Sequence, residues 1–269
     1  MTGRSLMALL FIAAGVPALA VAHPRQGPQG PPQGRGAQPA RSPKDAAPVD
    51  LTGYWVSLVT EDWRWRMVTP IKGDSASIPV NQAAKRIMND WDPAKDEAEG
   101  NQCRGYGAPA IMRAPGRLHI TWQDDNTLKV ETDAGTQTRM LRFGARAQAG
   151  EAPSWQGYSV ARWDTGLAPI GGQLPLGLGP RQGTRSRSLE VMTTNLKPGY
   201  LRKNGVPYSD KASVTEYFER FSEPNGDDHL MVMTIVTDPE YLALPFVVTS
   251  DFKREADGSK WDPTPCSAR

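Results

Sequence analysis

The sequence predicts an all-β domain, an antiparallel β-barrel with one short helix and long loops. The first observation lies between residues 117 and 143, where apolar and polar residues alternate within three short stretches that are separated by tight turns. The second is the number of such stretches along the whole chain, roughly nine to eleven. The third is that a single segment shows helical periodicity. A β-sandwich is the alternative arrangement of the same strands.

The run at 117–143 is the clearest structural signal. Stretches 117–122, 127–132 and 136–143 alternate between apolar and polar side chains, which is typical of strands with one buried face. The residues between them have the composition of turns, and Gly135 can take the positive φ that a hairpin requires. Strands joined this closely must be antiparallel neighbours, because a parallel pair needs a long crossover.

The rest of the chain supplies one helix and the remaining strands. Residues 81–91 predict an amphipathic helix that Asn81 can cap and that Asp92-Pro93 ends. Residues 164–187 are rich in Gly, Pro and Arg, and we expect them to form an insertion outside the core. Further strands are predicted at 56–60, 63–69, 110–113, 155–163, 188–196, 213–221, 230–237 and 246–254.

The N-terminal part of the chain predicts export. Residues 1–22 have a basic start, an apolar run and a small-x-small end, as in a secretory signal peptide; a retained N-terminal helix is the alternative. Residues 23–49 are rich in Pro, Gly and Gln, which predicts a disordered leader. Residues 50–269 are then expected to form a single barrel domain, periplasmic or secreted, with no transmembrane segment in the mature chain.

Cysteine usage and charge limit the chemistry further. In an exported protein Cys103 and Cys266 predict a disulfide, with two free thiols as the alternative. No Cys or His spacing resembles a metal-ligand set, and no nucleotide or catalytic motif is present, so we expect no metal and no cofactor. A net charge of +2 without a basic, aromatic-rich stripe disfavours nucleic acid as a partner.

Residues 53–55 (Gly-Tyr-Trp) resemble the Gly-x-Trp signature that begins the first strand of lipocalin-like (calycin) barrels. In that family the tryptophan packs across the closed end of the barrel, which the resemblance implies for Trp55. Residues 51–266 also resemble an uncharacterised family of exported bacterial proteins, from which the insertion at 164–187 departs. The stretches that carry this resemblance are GYWVSLVTEDWRWRM, PGRLHITWQDDNTLKVETDAGTQTR, PSWQGYSVARW, PGYLRKNGVPYS and VTEYFERF.

Three polar residues of the 117–143 run are candidates for catalysis. His119 and Glu131 fall on adjacent predicted strands, where they could meet as a hydrogen-bonded pair, and Arg139 falls on the third. A carboxylate that orients an imidazole makes a general base that works near neutral pH. The alternative is that these residues form the solvated outer face of the sheet, since alternation places their apolar neighbours in the core.

A larger set of aromatic and charged residues is predicted to contact a ligand. The aromatic residues could line an apolar pocket, or they could be ordinary core residues. Tyr200, Arg202, Lys203 and Tyr208 lie on a connection long enough to act as a lid over an anionic or phenolic ligand, or to be a solvated loop. Glu216 and Arg220 could form an inward ligand anchor or a structural ion pair. The predicted ligand contacts are Trp63, Trp65, Tyr106, Trp122, Tyr158, Tyr200, Arg202, Tyr208, Glu216 and Arg220.

Two main functions follow from these patterns. The first is an exported barrel that binds a small apolar or aromatic molecule in its interior. The second is a cofactor-independent isomerase, lyase or hydrolase on the same barrel, with His119 as acid or base, Glu131 orienting it and an arginine holding the substrate. A third possibility is an envelope protein that contacts other macromolecules through its basic leader. The sequence leaves the ligand, the reaction and the oligomeric state open.

Overall fold

The computed structural model describes residues 41–144, 151–164 and 187–269. The predicted signal peptide at 1–22, most of the predicted leader at 23–49 and nearly all of the predicted insertion at 164–187 lie outside the described residues. Arg41–Arg269 form one compact unit. Within the described ranges, no helix is long and apolar enough to cross a membrane.

In the described part of the chain, nine strands close into a barrel and two more form a separate hairpin. The strands are β1 (Gly53–Leu58), β2 (Arg117–Asp124), β3 (Thr127–Thr132), β4 (Gln137–Phe143), β5 (Tyr158–Asp164), β6 (Ser188–Thr194), β7 (Gly199–Arg202), β8 (Val206–Tyr208), β9 (Ser213–Ser222), β10 (Asp228–Thr237) and β11 (Phe246–Glu255). Around the barrel the order is β1, β11, β10, β9, β6, β5, β4, β3, β2, and β2 pairs with β1 to close it. The predicted all-β barrel is confirmed, and the alternative sandwich is not formed.

The prediction of a purely antiparallel barrel is wrong at one pair of strands. β4 and β5 run parallel, with Leu141 opposite Ser159 and Phe143 opposite Ala161. A closed ring of nine strands cannot alternate in direction throughout, so at least one neighbouring pair must be parallel. Residues 144–157 connect the two strands and are long enough for the crossover that a parallel pair requires.

The predicted three-stranded run is confirmed with its register. His119 of β2 lies opposite Glu131 of β3, and Val130 of β3 lies opposite Arg139 of β4. Gly135 has a φ of 73°, as the turn before β4 was predicted to need. A side chain at Gly135 would also collide with the ring of Tyr106, so two constraints fix glycine at this position.

The predicted helix at 81–91 is confirmed as α2, and the Asn81 side chain accepts a hydrogen bond from the Ala84 amide. The expectation of a single helix is wrong, because three other short helices are present. Asp92-Pro93 ends α2 but also starts the next helix, with the Asp92 carboxylate capping the Ala94 amide. The four helices are α1 (Trp63–Arg66), α2 (Gln82–Asp90), α3 (Pro93–Ala98) and α4 (Ala108–Ile111), and the 3-10 segments are Gln102–Tyr106 and Ala134–Thr136.

Two predicted strands are instead helical turns. In place of a strand at 63–69, the amides of Trp65 and Arg66 both donate to the Asp62 carbonyl and start α1. In place of a strand at 110–113, α4 begins directly after Gly107. The Trp-Arg-Trp-Arg alternation at 63–66 spans too few residues for periodicity to separate a strand from a single helical turn.

The core consists of two apolar clusters with a polar layer between them. The first cluster lies inside the barrel around Trp55, Phe218 and Phe252. The second packs the other end of the barrel strands against α2 and the β7–β8 hairpin. On β9 the inward residues are Phe218 of the first cluster, then Glu216, then Val214 of the second. The buried polar residues of this layer are Arg139, Ser159, Thr193, Glu216, Thr234 and Ser250.

A bidentate ion pair between Arg139 and Glu216 is the centre of this layer. The two guanidinium nitrogens lie 2.9 and 2.5 Å from the carboxylate oxygens, and both side chains have an exposure of 0%. Arg139 also donates to the Thr193 hydroxyl at 3.3 Å, which lies 2.7 Å from the Ser159 hydroxyl. A fully buried charge is tolerated only when its partner and hydrogen bonds are in place. The pair therefore links β4 to β9 across the barrel.

Two contacts attach the chain ends to the barrel. The predicted disulfide is confirmed: Cys103 and Cys266 are bonded across a sequence separation of 163 residues. At the other end, the Trp163 indole donates to the Pro43 carbonyl at 2.8 Å, and Val49 packs against the first cluster. The last residues of the predicted leader, 41–49, thus contact the barrel.

We predict that Glu216→Ala lowers the free energy of unfolding by about 3–5 kcal/mol, because it leaves the Arg139 charge buried without its partner. The double replacement Arg139→Met/Glu216→Leu should be much less destabilising, since it removes both charges from the core. Chemical denaturation followed by circular dichroism measures both.

The control is Arg162→Ala, which breaks the exposed Arg162–Glu190 pair on the outside of the barrel. Its effect should stay below about 1 kcal/mol. If Glu216→Ala and the double replacement lowered the free energy of unfolding equally, this would contradict our explanation that the loss comes from an unpaired buried charge.

Candidate functional site

A cleft of about 380 Å³ with a cationic wall lies in the described part of the chain. Its wall consists of residues 65–70, the residues around α4, the β7–β8 hairpin and the C-terminal tail. We call it the cationic cleft after the five basic residues in this wall: Arg66, Arg113, Arg202, Lys203 and Arg269. No aspartate or glutamate side chain is among the residues that line it.

Arg66 and Arg113 are buried side by side in the wall. The Arg66 Nε donates to the Arg113 carbonyl at 3.0 Å, and its Nη1 pairs with Glu61 at 2.6 Å. The Nη2 of Arg113 pairs with Asp62 at 2.8 Å. Each guanidinium keeps one buried nitrogen, Nη2 of Arg66 and Nη1 of Arg113, without a hydrogen-bond partner among the described residues. Because both of these nitrogens are shielded from solvent, they lie beneath the open surface of the cleft.

Arg202 holds the opposite wall to the loop after α1. Its Nη2 donates to the Ala76 carbonyl at 2.8 Å and its Nη1 to the Asp74 carbonyl at 3.3 Å. Its guanidinium lies 5.3 Å from the centre of the Trp65 ring, within the range of a cation–π contact. The adjacent Lys203 points to Tyr106 and donates to its hydroxyl at 2.9 Å.

Two aromatic side chains complete the wall. The Trp65 indole donates to the Asp74 carboxylate at 3.0 Å, which fixes the ring between Arg64 and Arg202. Tyr106 is buried, and its ring packs against Gly135 while its hydroxyl reaches Lys203. The cleft thus combines positive charge with flat apolar surface.

Arg66 and Arg202 are held in an environment that disfavours their charge. Burial, followed by repulsion from Arg113, lowers the pKa of Arg202 to about 10. Burial also lowers the pKa of Arg66; Glu61 opposes this shift and Arg113 adds to it. Below these pKa values the protonated groups destabilise the fold, and an anion placed among them would offset that cost.

The C-terminal tail forms part of the cleft because the disulfide holds it there. Thr264 and Arg269 line the cleft, and Cys266 lies between them in sequence. The Thr264 amide also donates to the Asp133 carbonyl at 2.9 Å. Cys103, on the other side of the bond, is close in sequence to Gly105 and Tyr106 of the same wall.

The predicted catalytic residues are divided between the two sides of the barrel wall. Nδ1 of His119 lies 3.3 Å from a Glu131 oxygen on the outer face, where both side chains are partly exposed. His119 also stacks on Tyr54 with ring centres 4.1 Å apart. Arg139 points into the barrel and is bonded to Glu216. The structure brings His119 and Glu131 together, but Arg139 is not part of the same surface.

The predicted Glu216–Arg220 pair is not formed. Glu216 is bonded to Arg139 inside the barrel, whereas Arg220 pairs with Asp228 at 2.6 Å and donates to the Asp50 carbonyl. The side chains of 216 and 220 share a face of β9, but four residues along a strand separate them too far for a direct contact.

Of the four residues named for the predicted lid, Arg202 and Lys203 line the cationic cleft, and Tyr200 and Tyr208 do not. Tyr200 donates to the Asp96 carboxylate at 2.8 Å, and burial together with this bond raises the pKa of Tyr200 to about 12. Tyr208 is fully buried, its hydroxyl close to Gly107 and Gly199, and burial raises the pKa of Tyr208 further. The predicted loop is in fact the β7–β8 hairpin.

The predicted aromatic contacts fall in several places. Trp65 and Tyr106 line the cleft. Trp122 stacks with Phe143 in the first cluster, and Tyr158 is buried beneath Arg142. Trp63 is exposed on α1. Of the ten predicted ligand contacts, the cleft therefore contains Trp65, Tyr106 and Arg202.

Sequence reasoning did not identify Arg66 or Arg113 as site residues. Both occur in segments predicted to be strands, 63–69 and 110–113; Arg66 lies in α1 and Arg113 in the turn that follows α4. The signal that could have found them is the cluster of Trp and Arg at 63–66, which is unusual for a barrel strand.

Comparison with models of protein families, with curated proteins and with solved structures returns no match for this chain. The closed barrel agrees with the predicted fold class, and the resemblance to lipocalin-like proteins therefore rests on the Gly-Tyr-Trp motif and this barrel.

We predict that Cys103→Ser/Cys266→Ser lowers the free energy of unfolding by about 4 kcal/mol, as the chain-entropy account gives for a long closed loop. Thermal or chemical unfolding with and without reductant measures the change. The double replacement should show no further effect of reductant, which serves as the control. A loss of less than about 1 kcal/mol would contradict a stabilising role for this bond.

Proposed function

We propose that the protein binds a small organic anion in the cationic cleft, with an apolar or aromatic part of the ligand against Trp65 and Tyr106. The observation that supports this most strongly is the convergence of three buried arginines on one open cleft. Two of them keep a buried nitrogen without a hydrogen-bond partner in the described ranges.

The charge balance of the cleft favours an anion. The carboxylates of Glu61, Asp62 and Asp74 pair with its arginines or Trp65 from behind, and none of them lines the open surface. Guanidinium groups match carboxylates and phosphates with two parallel hydrogen bonds. A ligand anion in the cleft would therefore meet a cationic surface that no carboxylate side chain of the described lining residues neutralises.

The size and lining of the cleft favour a small ligand with a flat apolar part. Its volume of about 380 Å³ is at the lower end for small-molecule sites. Trp65 and Tyr106 are held in place by hydrogen bonds, so the parts of their rings that line the cleft can contact a ligand without a loss of side-chain freedom. An aromatic carboxylate or phosphate ester is the class of ligand that uses both features.

This proposal moves the ligand from the barrel interior, where the sequence predicted it, to the cleft. The interior is packed with large side chains such as Trp55, Phe218 and Phe252 and contains the buried Arg139–Glu216 pair. The proposal keeps the predicted export to the periplasm or exterior, which the disulfide supports because such bonds persist in oxidising compartments.

The enzymatic alternative is supported by one observation, the contact between His119 and Glu131. A general base oriented by a carboxylate fits that geometry. The substrate anchor predicted for this mechanism, Arg139, faces the opposite side of the barrel wall, and Lys129 also pairs with Glu131 at 3.0 Å. Binding in the cationic cleft is therefore the function that the geometry supports best.

The experiment that tests binding compares 2-naphthoate with its neutral isostere 2-naphthamide by isothermal titration calorimetry. We expect the anion to bind at least about tenfold more tightly, because only the anion can pair with the arginines. Lys203→Ala should reduce this preference, since Lys203 lies in the cleft wall beside Tyr106 and is less buried than the three arginines.

Lys197→Ala is the matched control, because Lys197 also lies over an aromatic ring, that of Trp155, but does not line the cleft. It should leave both affinities unchanged. Equal binding of 2-naphthoate and 2-naphthamide, or equal effects of the two lysine replacements, would contradict the proposal.

A further inference from the structure

A second feature lies beside the cationic cleft: four large apolar side chains project into solvent within nine residues of sequence. Trp63, Met67, Val68 and Ile71 have exposures of 62%, 59%, 68% and 80%. We call these four residues the apolar lip. Isolated exposed apolar residues are ordinary, but a contiguous group of this kind marks an interaction surface.

The four side chains of the apolar lip follow one another along the same edge. Trp63 and Met67 are one helical turn apart, joined by the hydrogen bond from the Met67 amide to the Trp63 carbonyl. Met67 and Val68 are in the wall of the cationic cleft. Ile71 is in the wall of a second cleft, which shares residues 69 and 70 with the first. The lip is thus a strip between two concave surfaces.

Positively charged residues lie on the same segment as the apolar lip and in the wall of the cationic cleft. Arg64 and Lys72 are exposed within the same stretch of chain. The acidic residues of this stretch, Glu61, Asp62 and Asp74, are paired with Arg66, Arg113 and the Trp65 indole, whereas Arg64 and Lys72 extend into solvent. The side that carries the apolar residues is therefore cationic, and its partner is expected to be anionic as well as apolar.

We infer that the apolar lip docks on the surface of an anionic lipid bilayer, with Trp63, Met67, Val68 and Ile71 at the boundary between headgroups and acyl chains. This inference does not depend on the proposed function, because the cleft could bind a free anion without any membrane. The two would act together if the ligand were taken from the bilayer.

A bilayer fits these residues better than a folded protein partner or a second copy of this chain. Protein interfaces bury a packed, largely flat patch, whereas exposures of 59% to 80% describe side chains that protrude well beyond the backbone that carries them. Protruding apolar groups with Trp among them and Lys or Arg behind them are what an interfacial membrane contact requires. Basic residues close to an anionic lipid surface strengthen such a contact by about fivefold each at low ionic strength.

The test is flotation of the purified protein with phosphatidylglycerol vesicles and with phosphatidylcholine vesicles. We expect binding to the anionic vesicles that weakens with added salt, and little binding to the zwitterionic ones. Ile71→Asp should weaken it at least about tenfold, because it replaces apolar burial with a charge of the wrong sign. Quenching of tryptophan fluorescence by brominated lipid should fall in Trp63→Phe.

Leu244→Asp is the matched control, since Leu244 is 69% exposed on the loop between β10 and β11, and it should leave vesicle binding unchanged. All variants carry the same N-terminal residues, so their differences report on the lip alone. Ile71→Asp should also keep its affinity for 2-naphthoate, which separates this inference from the proposed function.

Three results would overturn the inference. The first is no binding to anionic vesicles, and the second is equal weakening by Ile71→Asp and Leu244→Asp. The third is a dimer in analytical ultracentrifugation that Ile71→Asp dissociates without any vesicle binding by the wild type, which would assign the lip to a contact between copies of this chain.

Discussion

The bidentate pair between Arg139 and Glu216 is the interaction on which the barrel depends. It joins β4 to β9 across the interior and separates the apolar cluster inside the barrel from the one that packs against α2 and the β7–β8 hairpin. Burial of two charges costs free energy that only this geometry and the bonds to Thr193 offset. The pair therefore fixes which strands face each other, because any other register would leave a charge unpaired.

The same physical constraint, applied to three other buried arginines, produces the candidate site. Arg66, Arg113 and Arg202 are buried like core residues, and each is held by a carboxylate or carbonyl partner. All three also line the open cationic cleft. Glu216 neutralises the charge of Arg139 inside the barrel, and an anion from solvent is proposed to do the same for the arginines of the cleft.

Much of the fold could be predicted because it depends on local patterns. Alternation and turn residues predicted the β2–β4 run with its register, Asn81 predicted the start of α2, and an even pair of cysteines predicted the disulfide. The site could not be predicted, because it depends on which distant segments meet. Arg139 and Glu216 are 77 residues apart in sequence. Arg66 reaches the Arg113 carbonyl because residues 63–66 form a helical turn, but their alternating sequence is equally compatible with a strand.

The measurement that tests this account most directly is a crystal structure of the protein with 4-iodobenzoate, in which anomalous scattering locates the iodine. The account predicts that the iodine lies in the cationic cleft near Trp65 or Tyr106, with the carboxylate in hydrogen-bond contact with Arg113, Arg202 or Lys203. Iodine inside the barrel among Trp55 and Phe218, or on the outer face beside His119, would contradict it and assign ligand binding to a different surface.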